Sequence, residues 1–335
     1  MILVRSSKQT GNQALPHNES LFNYFKGQNE NINNDDLDFD FDFDKLQNVN
    51  TEESTVLNSF ISKEEIINCV HNLKNNKASG LDGIINEYIS STIHLFIDIY
   101  VHLFNLVLDT GKFPEKWLEG IIKPIYKNKG DPKRPENYRP ITLLSCFGKL
   151  FTSVINNRLQ TFIESNSILS EAQAGFRKGY STNDHVFTLY SLAELLKARK
   201  KKLFCTFVDL QKAFDTVWRS GLWQKLLQNN ISGKCFNVIY NMYQNIKSCV
   251  SCNDNFTCFF SCKTGVRQGE NLSPILFAIF LNDLEQALLF EGCEGVKLKP
   301  NEFNDRIENI ITIFMLLYAD DAVLLTTNVQ DMQNS

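Results

Sequence analysis

The strongest constraint on the fold is a pair of adjacent acids near the end of the chain, Asp320 and Asp321, which lie between two apolar runs within residues 311–325. Each run has the length and composition of a β-strand, so the segment predicts a buried β-hairpin with two carboxylates at its tip. Burying neighbouring carboxylates is costly without a positive charge beside them, and residues 311–325 contain no Lys, Arg or His. The pattern therefore indicates a bound divalent cation; the alternative is an exposed Asp-Asp turn on an ordinary hairpin.

A third acid has a similar setting. Asp209 ends the apolar run 203–210, which predicts a buried strand. The residues between Asp209 and Asp320 leave room for helices that cross the sheet. Acids on separate strands that meet at one point of a sheet favour a metal site more than either acid does alone.

Composition limits the class of protein. The 335 residues allow one large domain or two smaller ones, and 43% apolar residues with 26 Phe are enough for a core. The net charge of −4 does not indicate a nucleic-acid binder, so that function depends on local basic patches. Residues 1–50 are acidic and rich in Asn, Gln and Ser, and predict a disordered leader.

Cellular context follows from two further features. The longest apolar runs, residues 275–281 and 310–318, are too short to cross a bilayer, which predicts no membrane partner. The nine Cys residues occur in a chain without a secretory signal, so reduced thiols and an intracellular location are expected.

Four of the Cys residues lie within residues 247–264 and suggest a zinc site. However, Cys249 and Cys252 are three apart on a predicted strand and would face opposite sides, so no structural zinc is expected.

Basic residues cluster in two loops. The first cluster lies between and within strand-like runs at 121–126 and 141–144 and consists of Lys123, Lys127, Lys129, Lys133, Arg134 and Arg139. It predicts a hairpin whose cations suit a polyphosphate or a nucleic-acid backbone, with a solvated basic loop as the alternative. The second cluster lies in a predicted mobile loop, residues 173–182, which contains Phe176, Arg177 and Lys178.

Helix signals place the remaining segments. Ser62 followed by Glu65 predicts a capped helix start, and Gly111 predicts the end of a helix spanning about residues 90–108. Ser273 and Pro274 predict the cap and first position of an apolar helix reaching about residue 289.

Six blocks in this order resemble the reverse transcriptases of non-LTR (LINE-class, jockey-like) retrotransposons, over residues 62–327. They are residues 76–83; Asn137-Tyr138-Arg139-Pro140-Ile141; residues 173–182; Phe207-Val208-Asp209 with Lys212-Ala213-Phe214-Asp215; Arg267-Gln268-Gly269 with Ser273-Pro274; and Tyr318-Ala319-Asp320-Asp321. A lone Tyr-Ala-Asp-Asp would be a weak signal, whereas six ordered blocks are a specific one.

The resemblance implies an α+β fold, a right-hand polymerase with fingers and a palm whose antiparallel sheet packs on helices. Residues 51–202 would form the fingers and the N-terminal part of the domain, and residues 203–335 the palm. The chain ends at Ser335, shortly after the acids, so the palm is expected to be incomplete and the thumb missing.

The resemblance also implies the chemistry. Asp209, Asp320 and Asp321 would bind two Mg²⁺ ions, for which Mn²⁺ could substitute. Lys127 or Lys129, with Arg139, would hold the incoming triphosphate. Phe214 would exclude a 2′-hydroxyl, and Gln268 and Gly269 would lie along the nascent base pair. Phe176, Arg177 and Lys178 would contact the template. The expected partners are an RNA template, a DNA primer and dNTPs.

Three other functions stay open at this point. The first is an inactive remnant that only binds RNA or primer–template through its basic loops. A metal-binding interaction module would use the cysteine cluster or the acidic leader instead. An RNA-dependent RNA polymerase is disfavoured by Phe214, because an aromatic gate beneath the sugar favours dNTPs.

Overall fold

The computed structural model describes residues 16, 18–30, 55–252, 255–298 and 311–329. It contains both helices and sheets, which agrees with the predicted α+β class. Of the predicted leader, residues 1–15, 17 and 31–50 lie outside the described residues.

The elements are numbered here in chain order. The helices are α1 Asn18–Glu30, α2 Thr55–Asn58, α3 Lys63–His71, α4 Asn86–Thr110, α5 Glu115–Leu118, α6 Cys146–Ser165, α7 Thr182–Ala198, α8 Arg219–Gln228, α9 Gly233–Gln244, α10 Ser273–Phe280 and α11 Leu284–Phe290. The strands are β1 Glu119–Tyr126, β2 Tyr138–Leu143, β3 Phe204–Asp209, β4 Lys247–Cys252, β5 Asn255–Phe256, β6 Phe260–Ser261, β7 Val296–Leu298, β8 Ile311–Ile313, β9 Met315–Tyr318 and β10 Asp321–Thr326.

Two compact units divide the described chain. The first unit comprises the described residues of Met1–Asp38, Ile61–Phe151 and Val238–Glu270. The second comprises those of Phe39–Phe60, Thr152–Asn237 and Asn271–Ser335. Both are discontinuous in sequence, whereas the predicted division ran between residues 202 and 203. The assignment of fingers and palm therefore stays a prediction.

A mixed sheet forms the first unit, with strand order β2-β1-β4-β5 and β6 also paired to β4. β1 runs antiparallel to β2 and parallel to β4, so the predicted basic hairpin is present. The same unit contains an aromatic cluster in which Phe104 and Phe151 contact edge to face, with ring centroids 5.2 Å apart. Trp117 packs against both rings. Aromatic pairs of this kind add to the stabilisation from burial alone.

Local signals explain where several helices begin and end. Ser62 and Glu65 form the predicted reciprocal capping box at the start of α3. Gly111 ends α4 with a φ of +65°, a left-handed conformation that glycine adopts without a Cβ clash. The expectation for Ser273 is wrong: Leu272 is the cap residue, and Pro274 lies in the first turn after Ser273. The predicted apolar helix is also two helices, α10 and α11.

Part of the predicted leader is ordered. α1 is a helix of the first unit, and its Leu21 and Phe25 are buried. Its C-terminal end accepts a hydrogen bond at the Asn29 carbonyl from the Lys263 N–H, 2.9 Å away. The expectation of disorder is wrong for residues 18–30, because composition averaged over fifty residues concealed one short amphipathic helix.

The second unit contains the three-stranded sheet β3-β10-β9 and a separate ribbon of β7 and β8. Leu192 and Leu196 of α7 pack in a cluster with Leu316 and Leu325 of the sheet. Met315, Leu317 and Ala322 belong to a different cluster, which includes Leu288 of α11. Successive strand residues thus feed two hydrophobic clusters, which holds β9 and β10 in register.

The predicted burial of β3 is wrong. Three of its six residues in the middle of the strand, Cys205, Thr206 and Phe207, are exposed, as is Asp209. Among the described strands β3 pairs only with β10, so it is an edge strand with one open side. An apolar run of this length is typical of buried strands, and the run alone cannot identify an edge position.

Two helical segments in the described part of the chain are long and apolar enough to cross a membrane, judged by length and composition only. They are Asn86–Thr110 and Ser273–Phe290, and the core helices of soluble proteins meet the same criterion. The prediction from sequence rested on unbroken apolar runs. Polar residues such as Ser91 and Asp98 interrupt the apolar sequence of Asn86–Thr110, so that helix was not counted as a possible span. The absence of a membrane partner therefore stays a prediction.

Candidate active site

The acids Asp320 and Asp321 lie where β9 turns into β10. Tyr318 pairs with Asp321, so Ala319 and Asp320 form a two-residue hairpin loop. Ala319 has a φ of +60°, a conformation that such loops require at their first position and that Gly usually supplies. The predicted hairpin with carboxylates at its tip is confirmed.

Asp209 is the third acid at this point of the sheet. It is the last residue of β3 and lies directly opposite Asp321, the first residue of β10. Directly opposed residues of an antiparallel pair have Cβ atoms about 5 Å apart, and like charges there destabilise the pair. The strand register thus concentrates negative charge from two strands and the adjoining turn.

The acids are less buried than the sequence predicted. Asp209 and Asp321 are exposed, and Asp320 is half-buried. Within the residues that the structure describes, no group of three His, Cys, Asp or Glu side chains lies close enough to hold a metal ion. The cost of burying carboxylates therefore does not support a bound cation, because Asp209 and Asp321 are exposed to solvent.

The donor chemistry nevertheless fits Mg²⁺. The site offers carboxylate oxygens, which are the hard ligands that Mg²⁺ prefers, and the backbone register places Asp209 opposite Asp321. A divalent cation would offset the repulsion between these opposed charges. By this chemistry Asp209, Asp320 and Asp321 would hold the ion, but because their side chains form no close ligand group in the described residues, metal binding stays a prediction.

The first residue of the predicted loop 173–182 contacts the turn of these acids. Gln173, which the sequence analysis assigned no role, is 3% exposed, and its side-chain oxygen accepts a hydrogen bond from the Ala319 N–H at 3.0 Å. Nothing in the local pattern indicates this contact, because its partner is 146 residues away in sequence. Leu317 also pairs with Gln173 through a parallel bridge.

The three residues predicted to contact template differ in exposure. Arg177 is 9% exposed and forms two hydrogen bonds with the carboxylate of Glu164, at 2.9 and 2.8 Å. Its guanidinium also lies over the Tyr180 ring, 4.1 Å from the centroid. These contacts give Arg177 a structural position, whereas Phe176 and Lys178 are exposed. Template binding by the three residues stays a prediction.

Phe214, the predicted sugar gate, belongs to an aromatic stack. Its ring lies parallel to that of Phe277, with centroids 4.6 Å apart, and meets Phe176 edge to face at 6.2 Å. Phe277 is 2% exposed and so anchors the stack in the core. The contact joins Phe214 to Phe176, two residues that the sequence analysis placed in separate sites.

The predicted triphosphate cations lie on and beside the β1–β2 hairpin of the first unit. Arg139 is exposed on β2 opposite Ile125, and Lys123 lies on the same face of the hairpin. Lys127 follows β1 and donates from Nζ to the Glu136 carbonyl at 2.9 Å. Lys129 is exposed in the loop. The hairpin thus presents cations to solvent, as both interpretations of this segment require.

Gln268 and Gly269 also belong to the first unit. Gly269 has a φ of +99°, and an added Cβ would lie 2.7 Å from the Thr142 carbonyl oxygen, so only glycine fits this approach to β2. The preceding Arg267 donates to the carbonyls of Trp117 and Leu118 at 3.1 and 3.3 Å. Burial lowers the pKa of the Arg267 guanidinium. These contacts fix the loop that carries the half-buried Gln268.

The clustered cysteines follow the predicted strand geometry. On β4, Cys249 is fully buried, whereas Cys252 is partly exposed. Cys262 is buried with its Sγ 3.4 Å from Ser248 Oγ, and Cys258 is exposed. Burial raises the pKa of two thiols elsewhere in the chain, Cys69 to about 11 and Cys235 to about 12.

Comparison with known proteins identifies the family of the chain. Residues 126–335, well over half of the chain, match the family described as reverse transcriptase (RNA-dependent DNA polymerase). The chain therefore belongs to the reverse transcriptase family.

Its relatives include three polymerases of mobile elements. The probable RNA-directed DNA polymerase from transposon BS of Drosophila melanogaster is 31% identical over 67% of this chain and 25% of its own length. That from transposon X-element of the same organism is 30% identical over 66% of the chain and 24% of its length. The RNA-directed DNA polymerase from mobile element jockey of Drosophila funebris is 29% identical over 79% of the chain and 27% of its length. The matches thus span about a quarter of each relative.

Proposed function

We propose that the chain is an RNA-directed DNA polymerase of a non-LTR retrotransposon, which joins dNTPs to a primer 3′-hydroxyl on an RNA template. The observation that carries this proposal is the register of the second unit's sheet, in which Asp209 and Asp321 are directly opposed and Asp320 adjoins them. The likeness to polymerases of mobile elements supports the substrate class.

In this proposal the chain's own residues have separate tasks. Asp209, Asp320 and Asp321 would hold Mg²⁺, which would lower the pKa of the primer hydroxyl and stabilise charge at the α-phosphate. Arg139, with Lys127 or Lys129, binds the triphosphate through charge-assisted hydrogen bonds. Phe214, supported by Phe277, excludes a 2′-hydroxyl. Most of the rate enhancement then comes from positioning and electrostatics.

The proposal includes the architecture and the setting. The β3-β10-β9 sheet with its helices corresponds to the palm, and the β1–β2 hairpin to the fingers. RNA template, DNA primer and dNTPs are the partners, and the site of action is intracellular.

Extension of a DNA primer on an RNA template with Mg²⁺ and dNTPs tests the proposal. We expect extension by the wild type and none by Asp320→Ala. Wild-type rates are expected for the exposed control Asp98→Ala on α4, whose carboxylate pairs with Lys63 of α3. Replacing dNTPs with rNTPs should abolish extension; a preference for rNTPs would indicate an RNA polymerase. Retained primer–template binding without extension by the wild type would contradict the proposal and identify an inactive nucleic-acid binder.

A further inference from the structure

We propose that Gln173 is a positioning residue for the acidic turn: it holds Ala319 in its left-handed conformation and thereby sets Asp320 and Asp321 for metal binding. The inference deepens the proposed polymerase function and rests on it. Every contact that carries it lies within the second unit.

Gln173 binds both polar groups of the Ala319 backbone. Its Oε1 accepts from the Ala319 N–H at 3.0 Å, and its Nε2 donates to the Ala319 carbonyl at 3.3 Å. Oε1 also accepts from the Gly175 N–H at 2.8 Å. Because two N–H donors face the same atom, that atom must be the amide oxygen. One buried side chain thus fixes the peptide groups on either side of Ala319.

The backbone around Gln173 is itself attached to β9. The Leu317 N–H donates to the Ala172 carbonyl at 2.8 Å, and the Ala174 N–H donates to the Leu317 carbonyl at 2.9 Å. An added Cβ at Gly175 would collide with the backbone nitrogen of Ala319, so glycine is needed for this approach. The segment therefore reaches the turn without a side chain intervening.

A second set of contacts anchors the segment from the other side. Arg177 donates to the Ser170 carbonyl at 3.2 Å and to the Gln173 carbonyl at 3.4 Å, while it is paired with Glu164 of α6. The guanidinium therefore ties the main chain at Gln173 to a helix. A side chain that is fixed at its base transmits position to the group it contacts.

Ala319 needs such support. Its positive φ is strained for a residue that carries a Cβ. Two hydrogen bonds from a buried amide are enough to offset that strain. Ala319 immediately precedes Asp320, so rotation about its backbone would move both carboxylates relative to Asp209. Gln173 is thus placed to control the ligand geometry without contacting the reacting atoms.

The test compares Gln173→Met, which keeps the length of the side chain but removes its hydrogen bonds, with the control Gln224→Met on the exposed face of α8. Mn²⁺ affinity, measured by electron paramagnetic resonance, should fall about tenfold in Gln173→Met and stay unchanged in the control. In primer extension kcat should fall similarly while the KM for dNTP changes little. The Ala319 amide should exchange with solvent faster than in the wild type.

Several results would overturn the inference: unchanged Mn²⁺ affinity in Gln173→Met, an unprotected Ala319 amide in the wild type, or a wild type without measurable Mn²⁺ affinity. If Gln173→Met does not fold, Gln173→Glu keeps the acceptor and loses the donor, and it should weaken Mn²⁺ binding as well. Because metal binding and amide exchange need no turnover, a wild type that extends no primer overturns the polymerase proposal without overturning the positioning role.

Discussion

Arg177 shows how one residue can link several parts of the second unit. Its side chain is 4% exposed. The guanidinium contacts Glu164, Tyr180 and the backbone carbonyls of Ser170 and Gln173. A buried guanidinium is stable only with its charge balanced, and the Glu164 carboxylate provides that balance. The pair therefore supports the main chain that precedes the aromatic stack of Phe176 and Phe214.

This ion pair predicts an acid-sensitive contribution to stability. The hydrogen bonds from Arg177 hold the pKa of the Glu164 carboxyl below its usual 4.5. A lowered pKa in the folded state means that the stabilisation is complete above about pH 4.5 and is lost as the pH falls through the folded value. Glu164→Gln should therefore lower the free energy of unfolding by about 1 kcal/mol at pH 7, an amount reduced by the partial exposure of Glu164.

Urea denaturation at a series of pH values from 7 to 3.5 measures this difference. The wild type and Glu164→Gln should converge at the acid end of the series. Glu194→Gln removes an exposed pair with Lys197 on α7 and serves as the control, with no change expected at any pH. A difference for Glu164→Gln that persists undiminished below pH 4 would contradict the assignment.

At the scale of elements, the β1–β2 hairpin is buried at its base and charged towards its tip. Ile121 and Ile122 near its base are buried, whereas Lys123 and Arg139 are exposed towards its tip. This change in burial along β1 explains why the hairpin sequence combines apolar, strand-like runs with exposed basic residues. Exposed cations on a rigid hairpin suit an anionic ligand, because the backbone pairing fixes their spacing.

Arg139→Ala tests the ligand of this hairpin. Loss of one charge-assisted phosphate contact costs roughly 1.4 kcal/mol, which should raise the KM for dNTP about tenfold with a smaller effect on kcat. The effect should shrink at high salt, since screening weakens the interaction in the wild type. Steady-state primer extension at two salt concentrations measures both. Arg199→Ala, at the exposed end of α7, is the control, and an equal rise in KM for it would point to a general charge effect.

The elements that sequence reasoning predicted are those defined by neighbours in the chain. Ser62 and Glu65 are three residues apart, and Gly111 directly follows its helix, so the capping signals are local. The apolar runs around Asp320 likewise contain both strands of their hairpin. The contacts that were missed join distant residues. Gln173 with Ala319 depends on tertiary packing, and the edge position of β3 depends on which strand lies beside it.

At the scale of the whole molecule, the first unit is assembled from three separate parts of the sequence. α1 belongs to it although it precedes the rest of the unit by about thirty residues. Phe25 is fully buried, and the neighbouring Phe22 meets Phe260 of β6 edge to face at 5.8 Å. The helix therefore covers the β4–β6 side of the sheet.

Removal of this contact should destabilise the first unit. Phe25→Ala deletes a fully buried ring and should lower the free energy of unfolding by about 3–5 kcal/mol. Urea denaturation followed by fluorescence of Trp117, the tryptophan of the first unit, measures the change. Asn23→Ala, on the exposed face of the same helix, should have no effect. Equal stability of Phe25→Ala and the wild type would contradict the packing of α1.

β1 is central to the sheet of the first unit but lies almost wholly outside the family match. β1 lies between β2 and β4, and the family match begins at residue 126, its last residue. A recombinant fragment cut at the start of that match would lose the strand to which both neighbours bond, along with α1, α3 and α4. β2 and β4 would then expose unpaired edges, an arrangement prone to aggregation. A fragment intended for expression therefore has to begin upstream of α1.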